Sequence, residues 1–214
     1  HHCVYCDFNV AELKQKQQIS RYLESLKREI LFYAEKFSET SRKIDTLYIG
    51  GGTPSLISGA QMADIISTLR LSFQCEDAME ITSEANPSSA IRSTIEGFKQ
   101  AGVNRLSLGI QSFHAHHLQT LQRIHSRQQA ILSVEQVKAA GFDNLNLDLI
   151  FGIPNQTVEE FQQDVIQALA LNPSHLSTYQ LTVDKRNPLF AGLPDDGVSA
   201  DMYEWALQYL PQQG

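Results

Sequence analysis

Two cysteines near the start of the chain, Cys3 and Cys6, are the residues whose type and spacing point most directly to chemistry. A Cys-x-x-Cys pair can act as a redox dithiol, as half of a zinc site or as part of an iron–sulfur site. The spacing alone leaves these three roles open. The third cysteine, Cys75, lies apart from the pair in the sequence, and we predict that it is an inert thiol.

A glycine-rich segment, Gly50-Gly51-Gly52-Thr53-Pro54, directly follows an apolar run of β type. Three consecutive glycines remove every Cβ from one side of a turn, so that backbone N–H and C=O groups can approach a ligand closely. A tight turn with a positive φ would normally need one glycine. We therefore favour a ligand-binding loop over a purely structural turn.

Charged side chains follow or interrupt apolar segments at two places. Glu84 comes directly after a strand-like run, and its carboxylate is expected to project over the mouth of a parallel sheet; a solvated loop acid is the alternative. Within residues 145–150, a period of two puts Asn146 and Asp148 on one face, opposite the leucines. Because a charge on a central strand is costly unless it is paired or faces a polar cavity, this pair predicts a surface that binds ligand hydroxyls.

Other polar residues give weaker signals. Arg123 follows a strand-end loop, where a surface arginine is the default interpretation. His114, His116 and His117 surround the start of a short helix, and a solvated helix face is favoured over a metal site.

Two hydrophobic periods alternate along the chain and predict the elements that would hold these residues. Apolar residues recur at steps of three and four over 19–37, which predicts an amphipathic helix. Ser58 and Thr157 are each followed three residues later by Gln or Glu, the pattern of a helix-starting capping box. Helical segments separate five runs of β type, at 44–49, 79–82, 103–108, 145–150 and 176–183.

This alternation, with short connections, predicts parallel strands in right-handed βα units of an α/β protein. The segment before Cys3 would supply a sixth strand. Glu84, Gln111 and Asp148 fall at or just past strand C-termini, the rim that carries active sites in parallel barrels. An open doubly wound sheet would place ligands similarly, but the barrel is favoured. Since no low-complexity linker divides the chain, residues 1–214 are predicted to form a single domain.

Length and composition exclude several classes of protein. The 214 residues are 42% hydrophobic and 19% charged, which predicts a folded chain. A net charge of −7 argues against a basic surface for nucleic acid or anionic membranes. Apolar runs are far shorter than the roughly 20 residues of a membrane span, so no integral membrane segment is expected. Three cysteines and the lack of a visible signal peptide favour a reducing, cytoplasmic location.

Five ordered segments together resemble a known family; they are Cys3–Phe8, Gly50–Ser55, Glu84–Pro87, Gly102–Phe113 and Asn146–Pro154. They are similar to the radical S-adenosylmethionine (SAM) enzymes related to oxygen-independent coproporphyrinogen III oxidase. The resemblance runs from Cys3 to about Val183. It implies a partial (β/α)6 TIM-like barrel of the radical SAM type, truncated at both ends, with the first strand and the C-terminal region outside this chain.

The resemblance implies two cofactors, a [4Fe–4S] cluster and SAM. The cluster motif of the family is Cys-x-x-x-Cys-x-x-Cys, and Cys3 and Cys6 match its second and third cysteines; the first would lie two positions before His1. Three thiolates leave one iron open. In the family, that iron binds the amino and carboxylate groups of SAM, and electron transfer then cleaves a carbon–sulfur bond to release a 5′-deoxyadenosyl radical.

The resemblance also implies which residues would hold the methionine end of SAM. The backbone of Gly51, Gly52 and Thr53 would hold the amino group. Glu84 would contact the methionine end or the ribose, and Arg123 would pair with the carboxylate in a charge-assisted contact.

The nucleoside end of SAM would lie further along the same rim. By the same resemblance, Gln111 and Asp148 would bind the ribose hydroxyls, and Ile150 would pack on the adenine.

Two branches of the family differ after the third cluster cysteine. The oxidases have Cys-Gly-Cys there, whereas a haem-chaperone branch has Cys-x-Phe, and Cys6-Asp7-Phe8 matches the second pattern. The resemblance therefore implies a haem-binding radical SAM protein whose partners are haem or porphyrin, an electron donor and a haem-accepting protein. The alternative is an oxidoreductase that decarboxylates coproporphyrinogen III, so the sequence leaves open whether the protein is an enzyme.

Overall fold

The structure, a computed structural model, describes residues 3–15, 17–39 and 42–213. Strands and helices alternate along the chain after an initial helix. They are α1 (Gln17–Lys36), β1 (Ile44–Ile49), α2 (Gly59–Ser72), β2 (Cys75–Ala85), α3 (Arg92–Gln100), β3 (Arg105–Gln111), α4 (Ala115–Thr120), α5 (Arg127–Ala139), β4 (Asn144–Phe151), α6 (Val158–Ala170), β5 (His175–Gln180) and α7 (Asp196–Tyr209). Short 3₁₀ turns lie at Pro54–Leu56, Phe190–Gly192 and Leu210–Gln212.

The five strands form one parallel sheet in the order β1-β2-β3-β4-β5. Each strand lies beside the next one in sequence, so the chain advances around the sheet in one direction. A doubly wound sheet would instead reverse its strand order at a switch point. The sheet curls into a half-barrel with helices on its outside, which confirms the predicted α/β fold of the radical SAM type.

The two faces of the sheet differ in polarity because successive side chains of a strand point to opposite faces. On β4, Leu145, Leu147 and Leu149 belong to the apolar core between sheet and helices, and residues 146, 148 and 150 lie on the opposite, concave face. The helices complete that core with Phe98 of α3 and Phe161 of α6, both fully buried. The core thus leaves the concave face available for polar side chains.

Strand boundaries differ from prediction mainly at β2 and β3. The predicted strand 44–49 is confirmed, but β2 spans Cys75–Ala85 instead of 79–82, and β3 extends to Gln111. Glu84 and Gln111 therefore lie within the last two residues of their strands. Both strands have a partner on each side, and this tertiary pairing extends them into polar sequence that intrinsic preference would leave as loop.

The amphipathic helix predicted at 19–37 is confirmed as α1, but its apolar face is only partly covered. Leu23 is buried, whereas Tyr33 and Phe37 remain 41% and 50% exposed. The face is incompletely covered because α1 precedes β1 and packs mainly against α2. None of the helices in the described ranges has the length and apolarity that crossing a membrane requires.

In the part of the chain that the structure describes, three capping boxes begin helices, and the sequence predicts two of them. Ser58 caps α2 and Thr157 caps α6. The side-chain oxygen of each accepts a hydrogen bond from the backbone N–H of the residue three positions later. A third box at Ser126 begins α5. These local contacts are encoded by neighbouring residues and are therefore readable from sequence.

Helices α2 and α3 touch through two glycines. A Cβ at Gly59 would lie 2.5 Å from Cα of Gly97 and 2.8 Å from its carbonyl oxygen. Real Cβ atoms do not approach backbone this closely, so the two helices can keep their spacing only if both positions lack side chains.

We expect Gly59→Ala to lower the free energy of unfolding by about 2–3 kcal/mol, because the added methyl group meets backbone that cannot rotate away. Gly197→Ala in α7 is the matched control: there the new Cβ would meet only a side-chain oxygen of Asp195, at 3.1 Å. Urea unfolding of both variants measures the difference. Equal midpoints for the two variants would contradict the interpretation of the helix contact.

Candidate functional site

Polar side chains gather on the concave face toward the C-terminal ends of the strands. The register of the parallel ladders puts Glu84 beside Ser107, Gly109 beside Asp148, and Asp148 beside Ser177. Residues that are far apart in sequence thus lie side by side at one end of the half-barrel, as expected for the rim of a parallel barrel.

The glycine-rich loop and Glu84 form one hydrogen-bonded unit. The Gly51 N–H donates to Oε2 of Glu84 at 2.9 Å, and the Tyr48 hydroxyl donates to Oε1 at 3.0 Å. Burial, followed by the neighbouring Glu84 charge, raises the pKa of Tyr48, so the phenol stays a donor. The expectation that Glu84 is placed over the mouth of the sheet is supported, and its two oxygens have fixed orientations.

The loop itself needs each of its three glycines. Gly51 and Gly52 have φ of +81° and +57°, which disfavour side chains. A Cβ at Gly50 would lie 2.7 Å from Oε1 of Glu84 and 2.8 Å from the Tyr48 ring. The argument that one glycine would suffice for this turn is therefore wrong, and the triplet alone is weaker evidence for a ligand than the sequence suggested.

Arg123 joins the loop to the cysteine turn. Its Nη2 donates to the Gly109 carbonyl at 2.8 Å and to Oδ1 of Asn86, and its Nη1 lies 3.5 Å from Sγ of Cys3. Asn86 in turn donates to the Thr53 hydroxyl at 3.1 Å. The default interpretation of Arg123 as a surface arginine is therefore wrong: the side chain is half-buried and ordered by several partners.

Cys3 and Cys6 lie on a tight turn in which the Cys6 N–H donates to the Cys3 carbonyl at 3.1 Å. Both thiols are free and half-buried. Asn187 from the loop after β5 donates to the Val4 carbonyl at 2.8 Å. Tyr5 packs on a small apolar cluster, and burial raises its pKa to about 12. The turn is thus held on both sides, with the Cys3 thiol beside Arg123.

Asp148 is the centre of a second polar network. It accepts the Ser107 hydroxyl at 2.9 Å and the Asn146 amide at 2.7 Å, and Asn146 accepts the Ser177 hydroxyl at 3.1 Å. Burial raises the pKa of Asp148, although the Ser107 and Asn146 hydrogen bonds oppose the shift and Glu84 adds to it. The prediction that Asn146 and Asp148 share a polar face is confirmed.

Gln111 and Ile150 complete the concave face. Gln111 has a φ of +70° at an irregularity in the β3–β4 pairing. A Cβ at Gly109 would lie 2.8 Å from Nε2 of Gln111, so the glutamine side chain folds back over that glycine. Ile150 is only 6% exposed, in an apolar cluster with Leu121 and Leu181.

The predicted residues therefore fall into two neighbouring groups. Direct or bridged hydrogen bonds connect the glycine loop, Glu84, Arg123 and the cysteine turn, and Asp148 lies beside this group on the concave face. Sequence reasoning did not single out Asn86, Gly109, Tyr48 or Tyr5. Asn86 had a signal, since an Asn-Pro pair follows the end of β2, but its contact with Arg123 spans 37 residues and no local pattern encodes it.

The remaining predictions concern cysteine and histidine. Cys75 lies at the start of β2, paired with Ile44 at the opposite end of the sheet from the site. The expectation of a solvated histidine face is wrong for His117, which is fully buried, while His116 is exposed.

The sequence profile of the Radical SAM superfamily matches residues 1–167. The chain belongs to this superfamily. Two similar relatives are the haem chaperones HemW of Haemophilus influenzae, 39% identical over 218 residues, and of Escherichia coli, 39% identical over 219. Each alignment covers 99% of this chain but 57% and 56% of the relative, so the chain spans little more than half the length of these curated relatives.

A solved structure of a radical SAM enzyme supports the same assignment, and a second solved structure shares the fold. Coproporphyrinogen III oxidase (HemN) from Escherichia coli superposes with a TM-score of 0.88 at 28% identity, over 100% of this chain and 50% of the enzyme. The hydrogenase maturase HydG from Carboxydothermus hydrogenoformans superposes with a TM-score of 0.66 at 15% identity, covering 100% of this chain and 49% of its own, which shows the fold alone. The resemblance drawn from the five motifs is confirmed.

The raised pKa of Asp148 predicts a pH-dependent stability. Because the folded state keeps a proton where the unfolded chain has lost it, this contribution to stability is present at low pH and is lost as pH rises through the raised pKa. Relative to Asp148→Asn, wild type should therefore lose stability from about pH 4 upward, with a slope of at most one proton.

Urea unfolding across a pH series measures this slope. Asp77→Asn, an exposed acid on β2, is the control and should track wild type. A constant difference between wild type and Asp148→Asn at every pH would contradict the assignment.

Proposed function

We propose that this chain is the radical SAM core of a haem chaperone: it binds a [4Fe–4S] cluster and SAM, and serves the binding and delivery of haem in the cytoplasm. The observation that carries the proposal is the Arg123 guanidinium, which lies beside Cys3 while bonded to Asn86 and Gly109 at the rim. We further propose that residues 1–214 form one unit, with no nucleic-acid partner and no integral membrane segment.

The residues present fit an iron–sulfur cluster. Cys3 and Cys6 have free thiols at the same end of the half-barrel as the polar face, and Nη1 of Arg123 lies 3.5 Å from Sγ of Cys3. The remaining ligand, the first cysteine of the family motif, would lie two positions before His1. When bound, such a cluster supplies the electron that cleaves a carbon–sulfur bond of SAM, and the protein orients the reactant and excludes side reactions.

The methionine end of SAM carries an ammonium and a carboxylate, and the rim offers a partner for each. Glu84 has both oxygens oriented, by Gly51 and Tyr48, and retains acceptor capacity for the ammonium. Thr53 and the backbone around Gly52 lie next to it. Nη2 of Arg123 is engaged by two protein oxygens, and Nη1 lies toward Cys3, where it would take the carboxylate.

The nucleoside end would lie along β3 and β4. Asp148 presents a carboxylate whose oxygens accept from Ser107 and Asn146 and can accept further bonds from ribose hydroxyls. Gln111 offers an amide at the end of β3, and Ile150, which is 6% exposed, would pack on the adenine. These groups are held before any ligand arrives, which reduces the ordering cost of binding.

Haem chaperoning is favoured over porphyrin decarboxylation for this chain. Cys6-Asp7-Phe8 has the pattern of the chaperone branch, Phe8 is 62% exposed, and the relatives cited above carry the chaperone name. Haem or porphyrin, an electron donor and a haem-accepting protein are the partners that this proposal implies. Coproporphyrinogen III oxidase is the second candidate, supported by the superposition on HemN at 28% identity.

Anaerobic reconstitution of the protein at its full natural length tests the proposal. We expect iron and sulfide near four each per chain. Cys6→Ser should lose most of the iron, and Cys75→Ser, at the far end of the sheet, should retain it. Equal iron in the two variants would contradict the assignment of the cysteine turn.

The reconstituted protein then separates the two candidate functions. With SAM, a reductant and coproporphyrinogen III, mass spectrometry should find no vinyl product, and absorption spectroscopy should find haem bound and passed to an apo-haemoprotein. A decarboxylated product would contradict the chaperone function and favour the oxidase function.

Arg123→Ala should weaken SAM binding by about 1.5–3 kcal/mol, or roughly ten- to hundredfold, through loss of a charged contact. Arg123→Lys should recover part of the affinity, because the charge is retained without the forked geometry. Arg127→Ala, which removes an exposed arginine at the start of α5, is the control. Calorimetry that finds the same affinity in Arg123→Ala and Arg127→Ala would sink the assignment.

A further inference from the structure

Three imidazoles and one carboxylate meet away from the concave face, between the start of α4 and the first turn of α6. Nε2 of His116 lies 3.0 Å from Oε1 of Glu160, and Nε2 of His117 lies 3.1 Å from Oε2 of the same carboxylate. His114 Nε2 lies 3.2 Å from the Glu160 carbonyl oxygen. The histidine rings are close, with centroids 4.0–5.6 Å apart.

We propose that His114, His116 and Glu160 bind a divalent transition-metal ion, zinc above all. One ligand atom from each of the three lies within 4.8 Å of the others. Two imidazole nitrogens with one carboxylate oxygen are a donor set that zinc accepts, with a fourth position left for water. The site is separate from the cysteine turn and does not rest on the proposed function.

The backbone explains how two histidines only two positions apart can converge. Residues at i and i+2 of a helix do not face each other. His114, however, precedes α4 and has an extended conformation, with φ −86° and ψ 125°, whereas His116 lies in the first helical turn. The bend between them brings both rings to the side that faces α6.

The carboxylate is held in place before any metal binds. Oε2 of Glu160 accepts the Thr157 N–H at 3.0 Å, as part of the capping box, and also faces Nε2 of His117. This leaves Oε1 directed toward His116. Buried groups that fix a ligand's orientation in this way are a regular feature of metal sites.

His117 is suited to this orienting role. The ring is fully buried, and its Nε2 lies 3.1 Å from Oε2 of Glu160. Its Nε2 can then carry the proton donated to Glu160, which leaves Nδ1 as an unprotonated nitrogen. Nδ1 is indeed a buried atom without a hydrogen-bond partner among the residues described.

The surroundings of the site are acidic. Glu160 itself lies in the first turn of α6. Asp164 lies 3.9 Å from His114 Nε2, and Glu159 adds a charge in the same turn of α6. These charges offset the positive end of the α6 dipole and favour a cation.

Metal binding here would join α4 to α6. The segment after α4 leads through Leu121 and Gln122 to Arg123, so a bound ion would fix the chain that presents Arg123 to the rim without touching the concave face. The ion is thus a structural clamp of the site and not a reactant.

Zn²⁺ and Co²⁺ titrations of the full-length protein test the proposal. Glu160→Gln is the sharpest variant, because glutamine preserves the capping box but is a poor metal ligand. His116→Ala removes a second ligand at an exposed position, and Glu159→Gln is the charge-matched control one residue away. We expect wild type and Glu159→Gln to bind one more metal ion than the other two variants, or to bind it about tenfold or more tightly.

Spectra and thermal stability identify which site has changed. The lost Co²⁺ signal should lack thiolate charge-transfer bands, which separates it from ions held by Cys3 and Cys6. Zn²⁺ should raise the melting temperature of wild type and Glu159→Gln more than that of the two ligand variants. Equal stoichiometry, affinity and stabilisation in all four proteins would overturn the proposal and leave the SAM and cluster assignments untouched.

Discussion

The guanidinium of Arg123 is the contact on which the rim depends. It binds Asn86 at the end of β2 and the Gly109 carbonyl of β3, and it approaches Cys3 from the N-terminal turn. A half-buried arginine needs acceptors for its donors, and here two oxygens and one sulfur from three parts of the chain supply them. The same requirement that stabilises the arginine therefore positions the cysteine turn against the sheet.

Sequence predicted what is local and missed what is distant. The shared face of Asn146 and Asp148 follows from a period of two, and the capping boxes at Ser58 and Thr157 from residues three positions apart. By contrast, the bond from Gly51 to Glu84 spans 33 residues. No pattern within one segment encodes such a contact. The family resemblance, in contrast, implies that Gly51 and Glu84 belong to one site. The same limit applies to His117, whose burial depends on α6.

Keeping the Asp148 carboxylate on the concave face lowers the stability of the fold. Burial raises the pKa of Asp148 despite its hydrogen bonds, so ionising it in the folded chain costs free energy that an apolar residue would not. His125 shows the opposite solution nearby: burial lowers its pKa to about 4, and it stays neutral while bonded to the Ile110 carbonyl. The carboxylate that is kept at Asp148 can accept hydrogen bonds from hydroxyl groups.

The glycine contact between α2 and α3 also bears on the geometry of the rim. The chain enters α2 from the glycine-rich loop and enters α3 from the segment after Asn86, and Ser55 and Ser89 join these two entries by a hydroxyl–hydroxyl bond of 2.6 Å. Main-chain atoms in contact at Gly59 and Gly97 thus set the spacing between the two chain segments that enter α2 and α3. Substitutions elsewhere on the surface of either helix leave that spacing intact. The distance between Thr53 and Asn86 is therefore preserved when those surfaces change.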